Sequence, residues 1–215
     1  MHLPPPGTER AAAASRFPST AAVLVLACVV VAGCSGADQA ASRPDHAARS
    51  TPAEDVPGPG VPKVANPLDV SRFRQNPCDA LASGQVSDLL GGNVRAEPDP
   101  HGPGGPACGW FSQAQVVIVF PTVDKLGLTS IYRAKGGVYP FFLPLDPVAG
   151  YPVVAYGTDD PRARFGECTV ALGTSDRETV DVSITQSPAH KGERDPCEAA
   201  RSVAETVLGN LRGGR

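Results

Sequence analysis

No stretch of this chain is apolar for long enough to cross a bilayer, and its basic side chains, 19 against 22 acidic ones, show no positive excess. The first shortage argues against a permanent transmembrane helix, which needs about 20 apolar residues. The second argues against a nucleic-acid partner. Catalytic signatures are missing too: there is no G-x-S-x-G elbow, no H-E-x-x-H helix, no phosphate-binding G-x-x-x-x-G-K-[ST] loop and no G-x-G-x-x-G after a strand. No two cysteines are spaced as C-x-x-C and none has a histidine close by, so neither a metal centre nor a cofactor is expected.

What is present starts at the N-terminus. Arg10 and Arg16 precede the uncharged run AAVLVLACVVVA at positions 21–32, which is followed by Gly33 and Cys34. A basic segment, an apolar segment of this length and small residues before a cut form an export signal. The order Val31-Ala32-Gly33-Cys34 resembles the bacterial lipobox, which predicts a signal peptide over 1–33 and lipidation, palmitate included, at Cys34. Two or three acyl chains anchor stably where one binds only marginally. The expected address is the extracytoplasmic face of the cell membrane, lipid-anchored.

Cleavage there leaves 182 residues with 17 basic and 21 acidic side chains, enough for one domain and a linker. Residues 34–66 read as a disordered tether, with prolines at 44, 52, 57, 59 and 62 and no hydrophobic period. The single globular domain is then expected over 67–215. Four cysteines fall inside it, Cys78, Cys108, Cys168 and Cys197, and an even number in an exported domain implies two disulfides. Three connectivities are open. The gaps of 30 and 29 residues favour Cys78–Cys108 with Cys168–Cys197 over a Cys78–Cys197 pairing.

Local pattern supplies the elements. Asn76-Pro77-Cys78-Asp79 reads as a helix start with Asn76 as cap, and Ser83 as the cap of a second turn that ends at Gly91-Gly92. Residues 93–107 read as a Gly/Pro-rich loop holding His101. Strands are expected at 108–112, 115–120, 139–145, 151–156, 168–172 and 179–185, and a short helix over 124–134. Prolines at 140 and 144 suggest either a sheet-edge position or an irregular stretch for the third of these. Residues 173–177 have hairpin-turn chemistry. In the last strand Val180, Val182 and Ile184 alternate with Thr179, Asp181, Ser183 and Thr185, one face buried and one wet. The terminal helix is the clearest element, because Ala200, Val203, Ala204, Val207, Leu208 and Leu211 form one apolar stripe after the Asp195-Pro196 start. The fold class is therefore α+β, a mostly antiparallel sheet packed against a C-terminal helix and shorter helices, with two disulfides.

Several short motifs recur in an order that carries a resemblance. The lipobox, Pro67-Leu68-Asp69, Asn76-Pro77-Cys78, Cys108-Gly109-Trp110, Gly150-Tyr151-Pro152, the strand at Cys168 and Asp195-Pro196-Cys197 resemble the actinobacterial lipoproteins of the domain of unknown function 3558 family. The likeness spans about 67–212 of the domain. It implies an envelope lipoprotein with an α+β domain and structural cysteines, and brings no catalytic residues with it.

Chemistry-bearing side chains have bland readings at this level. His46, His101 and His190 sit in loop or linker contexts, and Asp159-Asp160 beside Arg162 and Arg164 reads as a solvated charged loop. Trp110 is expected to pack near a disulfide, and Tyr139, Phe141 and Phe142 to pack in the core rather than line a lipid or glycan groove. The preferred function is a non-enzymatic binding or accessory module of the cell envelope, its partner an envelope protein or a small lipid or glycan. The competing expectation is an envelope hydrolase or transferase with Asp159 or Asp181 as acid and base.

Overall fold

The computed structural model describes residues 55–213; Cys34, the expected signal peptide and the first part of the expected tether lie outside the described residues. Seven antiparallel strands form one sheet in the order β1-β2-β3-β7-β6-β5-β4. They are β1 (Arg95–Asp99), β2 (Ala107–Phe111), β3 (Gln115–Val119), β4 (Phe141–Val148), β5 (Tyr151–Gly157), β6 (Glu167–Ser175) and β7 (Glu178–Thr185). Two meanders, β1 to β3 and β4 to β7, are thus joined where β3 pairs with β7. With its two prolines at 144 and 147, β4 takes a sheet edge, where the missing N–H groups interrupt no internal ladder.

One face of the sheet is dry. Ile118, Val182 and Val170 lie in one cross-strand row and Val116, Ile184 and Cys168 in the next, all buried. Against them lies the long terminal helix α5 (Pro196–Gly213), whose buried side is the stripe Ala200, Val203, Ala204, Val207, Leu208 and Leu211. A backbone N–H from Cys197 to Asp195 Oδ1 at 2.7 Å caps its first turn. Trp110 shares this core and the same face of β2 as Cys108.

Both disulfides are made on the α5 side. Cys78–Cys108 joins the 3-10 turn at Pro77–Ala80 to β2, and Cys168–Cys197 joins β6 to the start of α5. The local pairing favoured by the spacing is the one present.

Three features depart from the sequence reading. The ordered part begins before Pro67: Gly58 donates its N–H to Thr129 Oγ1 at 3.1 Å, and Val64 donates to Asp176 Oδ1 at 2.9 Å and is only 6% exposed. The Tyr151 hydroxyl adds a hydrogen bond to the Asn66 carbonyl at 2.7 Å, and Val61 packs against the cluster that holds Leu128 and Ile131. The expected helix at Asn76 is instead a short α1 (Ser71–Gln75) followed by the 3-10 turn, and the Asn76 side chain makes no cap bond. Finally, the loop expected over 93–107 contains β1, whose five residues are all exposed and so show no alternation.

Smaller shifts concern the helices. In α2 (Ser83–Leu90) the cap position is Ala82, whose N–H is taken by Gln85 Oε1 at 2.8 Å, so Ser83 is the first helical residue and not the cap. The expected helix over 124–134 is shorter, α3 (Leu128–Ala134), and a single turn α4 (Arg162–Phe165) lies in what read as a loop.

Candidate functional site

The second face of the sheet is only partly covered. Leu128 and Ile131 of α3 pack on Val154 and Ala171, with Val61, Tyr132, Tyr139, Phe142 and Tyr156 packed around them. Strand register fixes what is left there, since Val119, Asp181, Ala171 and Val154 form one continuous cross-strand row. The next row sets Val117 beside Ser183 and Thr169. The residues read as the wet half of β7 therefore form a floor, and α3 forms one wall.

Between them lies a cavity of about 540 Å³, within the range of small-molecule sites. Asp181 and Val119 line its floor, Ile131 stands on the α3 wall, and the exposed Val123 and Val138 also line it. These two valines are 77% and 65% exposed, which sets apolar surface at the mouth. Gly127, at the start of α3, permits the close approach that shapes this wall. Its φ is +55°, and a Cβ there would meet the Asp176 carbonyl oxygen at 2.6 Å.

Asp181 is the chemically unusual residue. Tyr156 on β5 donates its hydroxyl to Asp181 Oδ2 at 2.7 Å. The other oxygen, Oδ1, is sealed from bulk water and accepts no hydrogen bond. The Thr179 hydroxyl is close enough to favour the charged form, yet it does not reach Oδ1 at hydrogen-bond geometry. Burial dominates: it pushes the Asp181 carboxyl up to about 6, against the opposing hydroxyls of Tyr156 and Thr179 and with a smaller push from the charge of Asp124. Burial, followed by the charge of Asp181, also drives the Tyr156 phenol well above its ordinary range.

Several other polar groups of the cavity are engaged. Ser183 Oγ and Thr169 Oγ1 share a hydrogen bond at 2.7 Å, and Ser130 Oγ donates to the Gly127 carbonyl at 2.9 Å. Glu178 is paired with Arg74 at 2.7 Å. Asp124, at the exposed rim, accepts the Leu126 N–H at 3.1 Å.

The other residues singled out in the sequence divide cleanly. Tyr139 does line the cavity and packs edge-on against Tyr156 at 4.8 Å. Phe142 packs on Tyr132 at 4.9 Å, and Phe141 lies under the Arg162 guanidinium at 5.0 Å, so neither reaches the groove. Asp159 is exposed and does not line the cavity, which separates the two carboxylates nominated as an acid and base pair. Its neighbour Asp160 forms a two-armed pair with Arg162 at 2.9 and 2.7 Å, and Arg162 also reaches Asp195 at 3.2 Å. Asp160 is held below the usual carboxylate range, chiefly by the Arg162 hydrogen bond. His101 is an exposed loop residue, and His190 pairs with Glu193 at 2.9 Å on the surface; His46 lies outside the described residues.

Among the described residues no cluster of three His, Cys, Asp or Glu side chains is placed to hold a metal ion, and no helix is long and apolar enough to cross a membrane. A family model described as "Protein of unknown function (DUF3558)" matches residues 29–210. No curated protein and no solved structure matches the chain.

Proposed function

Since the chain belongs to the DUF3558 family, whose match begins at residue 29 and so takes in Cys34, we propose that it is an extracytoplasmic lipoprotein. In this reading it is anchored through lipid on Cys34 and displays a non-enzymatic binding module of the cell envelope. The basic segment, the apolar run and the lipobox support the anchor. One observation carries the module: the open sheet face holds a 540 Å³ cavity whose floor is a carboxylate with an unpartnered oxygen. Buried polar atoms are almost always paired, and one left unpaired beside a cavity is poised for a ligand donor.

The hydroxyls nearby favour binding over covalent chemistry. Ser183 is tied to Thr169 and Ser130 to a backbone carbonyl, so neither serine faces a base that would activate it. A second reading is carried by Asp181 itself, because a carboxyl raised to about 6 and influenced by Asp124 resembles a general acid. In that reading the enzyme is an envelope hydrolase or transferase with Asp181 and Asp124, in place of Asp159, as its carboxylates.

Two measurements test the proposal. Intact mass of membrane-extracted protein, with and without inhibition of the lipoprotein signal peptidase, is expected to show an acylated chain starting at Cys34 that disappears on inhibition. An unacylated product starting elsewhere overturns the anchor. Incubation with envelope glycans and lipids is expected to leave them intact with both the natural chain and Asp181→Asn; turnover that Asp181→Asn abolishes overturns the module in favour of the hydrolase.

A further inference from the structure

The chemistry of the cavity narrows the class of ligand. Three of its lining side chains are carboxylates, Asp124, Glu178 and Asp181, and one is a guanidinium, Arg177. Glu178 is neutralised by Arg74, and the Arg177 guanidinium turns to the Lys125 carbonyl at 3.4 Å. Among the described residues, the charges left in the lining without an ionic partner are then the carboxylates of Asp181 and Asp124 and the single guanidinium of Arg177, a net negative balance. An anionic ligand would meet a net negative lining with a carboxylate at its floor. A burial-strained carboxylate gains most from a ligand that brings both a hydrogen-bond donor and a positive charge. Beside these polar groups, Val119, Ile131 and the exposed Val123 and Val138 give the lining apolar surface. Exposed aliphatic side chains in the lining of one cavity offer a ligand apolar contact.

We infer that the groove takes a cationic amphiphile, a protonated amine whose head group reaches Asp181 and whose apolar portion lies between Val123 and Val138. This rests on the binding-module reading and gives it a ligand class. An ammonium carries three donors and no acceptor, which suits a floor where Oδ1 lacks a donor. Asp181 lines the cavity, so its carboxylate is the group that the ammonium meets there.

The test uses the full chain in lipid nanodiscs, with empty discs as the blank, titrated by NMR with hexylamine, hexanol and hexanoate at pH 7.5. Hexylamine is expected to bind at least about tenfold more tightly than hexanol, with hexanoate weakest. Asp181→Asn should bring hexylamine to the hexanol level, and Val138→Ser should weaken hexylamine and hexanol by the same factor. Should Asp181→Asn fail to fold, Asp124→Asn at the exposed rim should reduce hexylamine binding alone, by about two- to threefold. If hexanol or hexanoate matches hexylamine, or if the Asp variants leave its advantage intact while Val138→Ser still weakens binding, the amine assignment falls and the groove remains a site. If no probe shifts groove resonances and Val138→Ser changes nothing, the binding-module reading falls with it.

Discussion

The Tyr156 hydroxyl donates to Asp181 Oδ2 at 2.7 Å across the partly covered face of the sheet, joining β5 to β7 over the intervening β6. This contact holds a carboxylate in a place where burial disfavours its charge. It makes Asp181 a liability for folding and an asset for a ligand.

The liability has a pH signature. Asp181 titrates near 6 in the folded chain and near its ordinary 3.8 when unfolded, so the native state binds the extra proton between those values. Stability from this group is fully present below about pH 4 and is lost as pH rises through 6. The ionised form is expected to destabilise the fold by up to about 3 kcal/mol at pH 7.5. Chemical denaturation of the natural chain and Asp181→Asn should show the variant more stable by a margin that grows from pH 4 to 7.5. An equal margin at both ends contradicts the assignment.

Removing the donor should act the other way. Tyr156→Phe leaves an ionised oxygen without its hydrogen bond, at a cost of about 1–3 kcal/mol at pH 7.5. The loss should shrink near pH 4, where the carboxyl is protonated. Repeating Tyr156→Phe in the Asp181→Asn background should recover part of the loss, and the double-mutant cycle measures the coupling.

Much of this architecture can be read from the chain and some cannot. The stripe of α5 and the alternation of Val180, Val182 and Ile184 are legible because each records burial on one face at the period of its element. The disulfide pairing is legible from nearly equal gaps between helical and extended segments. By contrast β1 buries nothing and leaves no period, and residues 57–66 are held by three side chains distant in sequence, Thr129, Asp176 and Tyr151. Asp181 was visible as a polar residue on the wet face of its strand. Its partner Tyr156, 25 positions away on a strand that is not its neighbour, depends on strand order, which local pattern does not encode.

The turn before α3 offers a backbone test. Gly127→Ala drives a Cβ into the Asp176 carbonyl at 2.6 Å, whereas Gly136→Ala, at a φ of +75°, meets nothing within 4 Å. The second substitution should cost about 1 kcal/mol for its left-handed backbone. The first should cost distinctly more and speed amide exchange in 128–134. Thermal melts and hydrogen exchange of both variants check the contrast.

Each disulfide closes a separation of 29 or 30 residues. Chain-entropy arguments assign roughly 3–4 kcal/mol to a loop of that size. Replacing Cys168 and Cys197 together with Ser should lower stability by about that amount, read by denaturant titration. Peptide mapping without reduction should find Cys78 with Cys108 and no Cys78–Cys197 peptide.

The most direct test of the central claim, that the open face of the sheet is a binding site on an envelope-anchored module, is native mass spectrometry of the protein extracted from its own envelope. The natural chain is expected to retain an additional non-covalent mass that Asp181→Asn and Val138→Ser each lose, with the acyl groups on Cys34 unchanged in all three. A bare natural chain, or a retained mass indifferent to both substitutions, would contradict it.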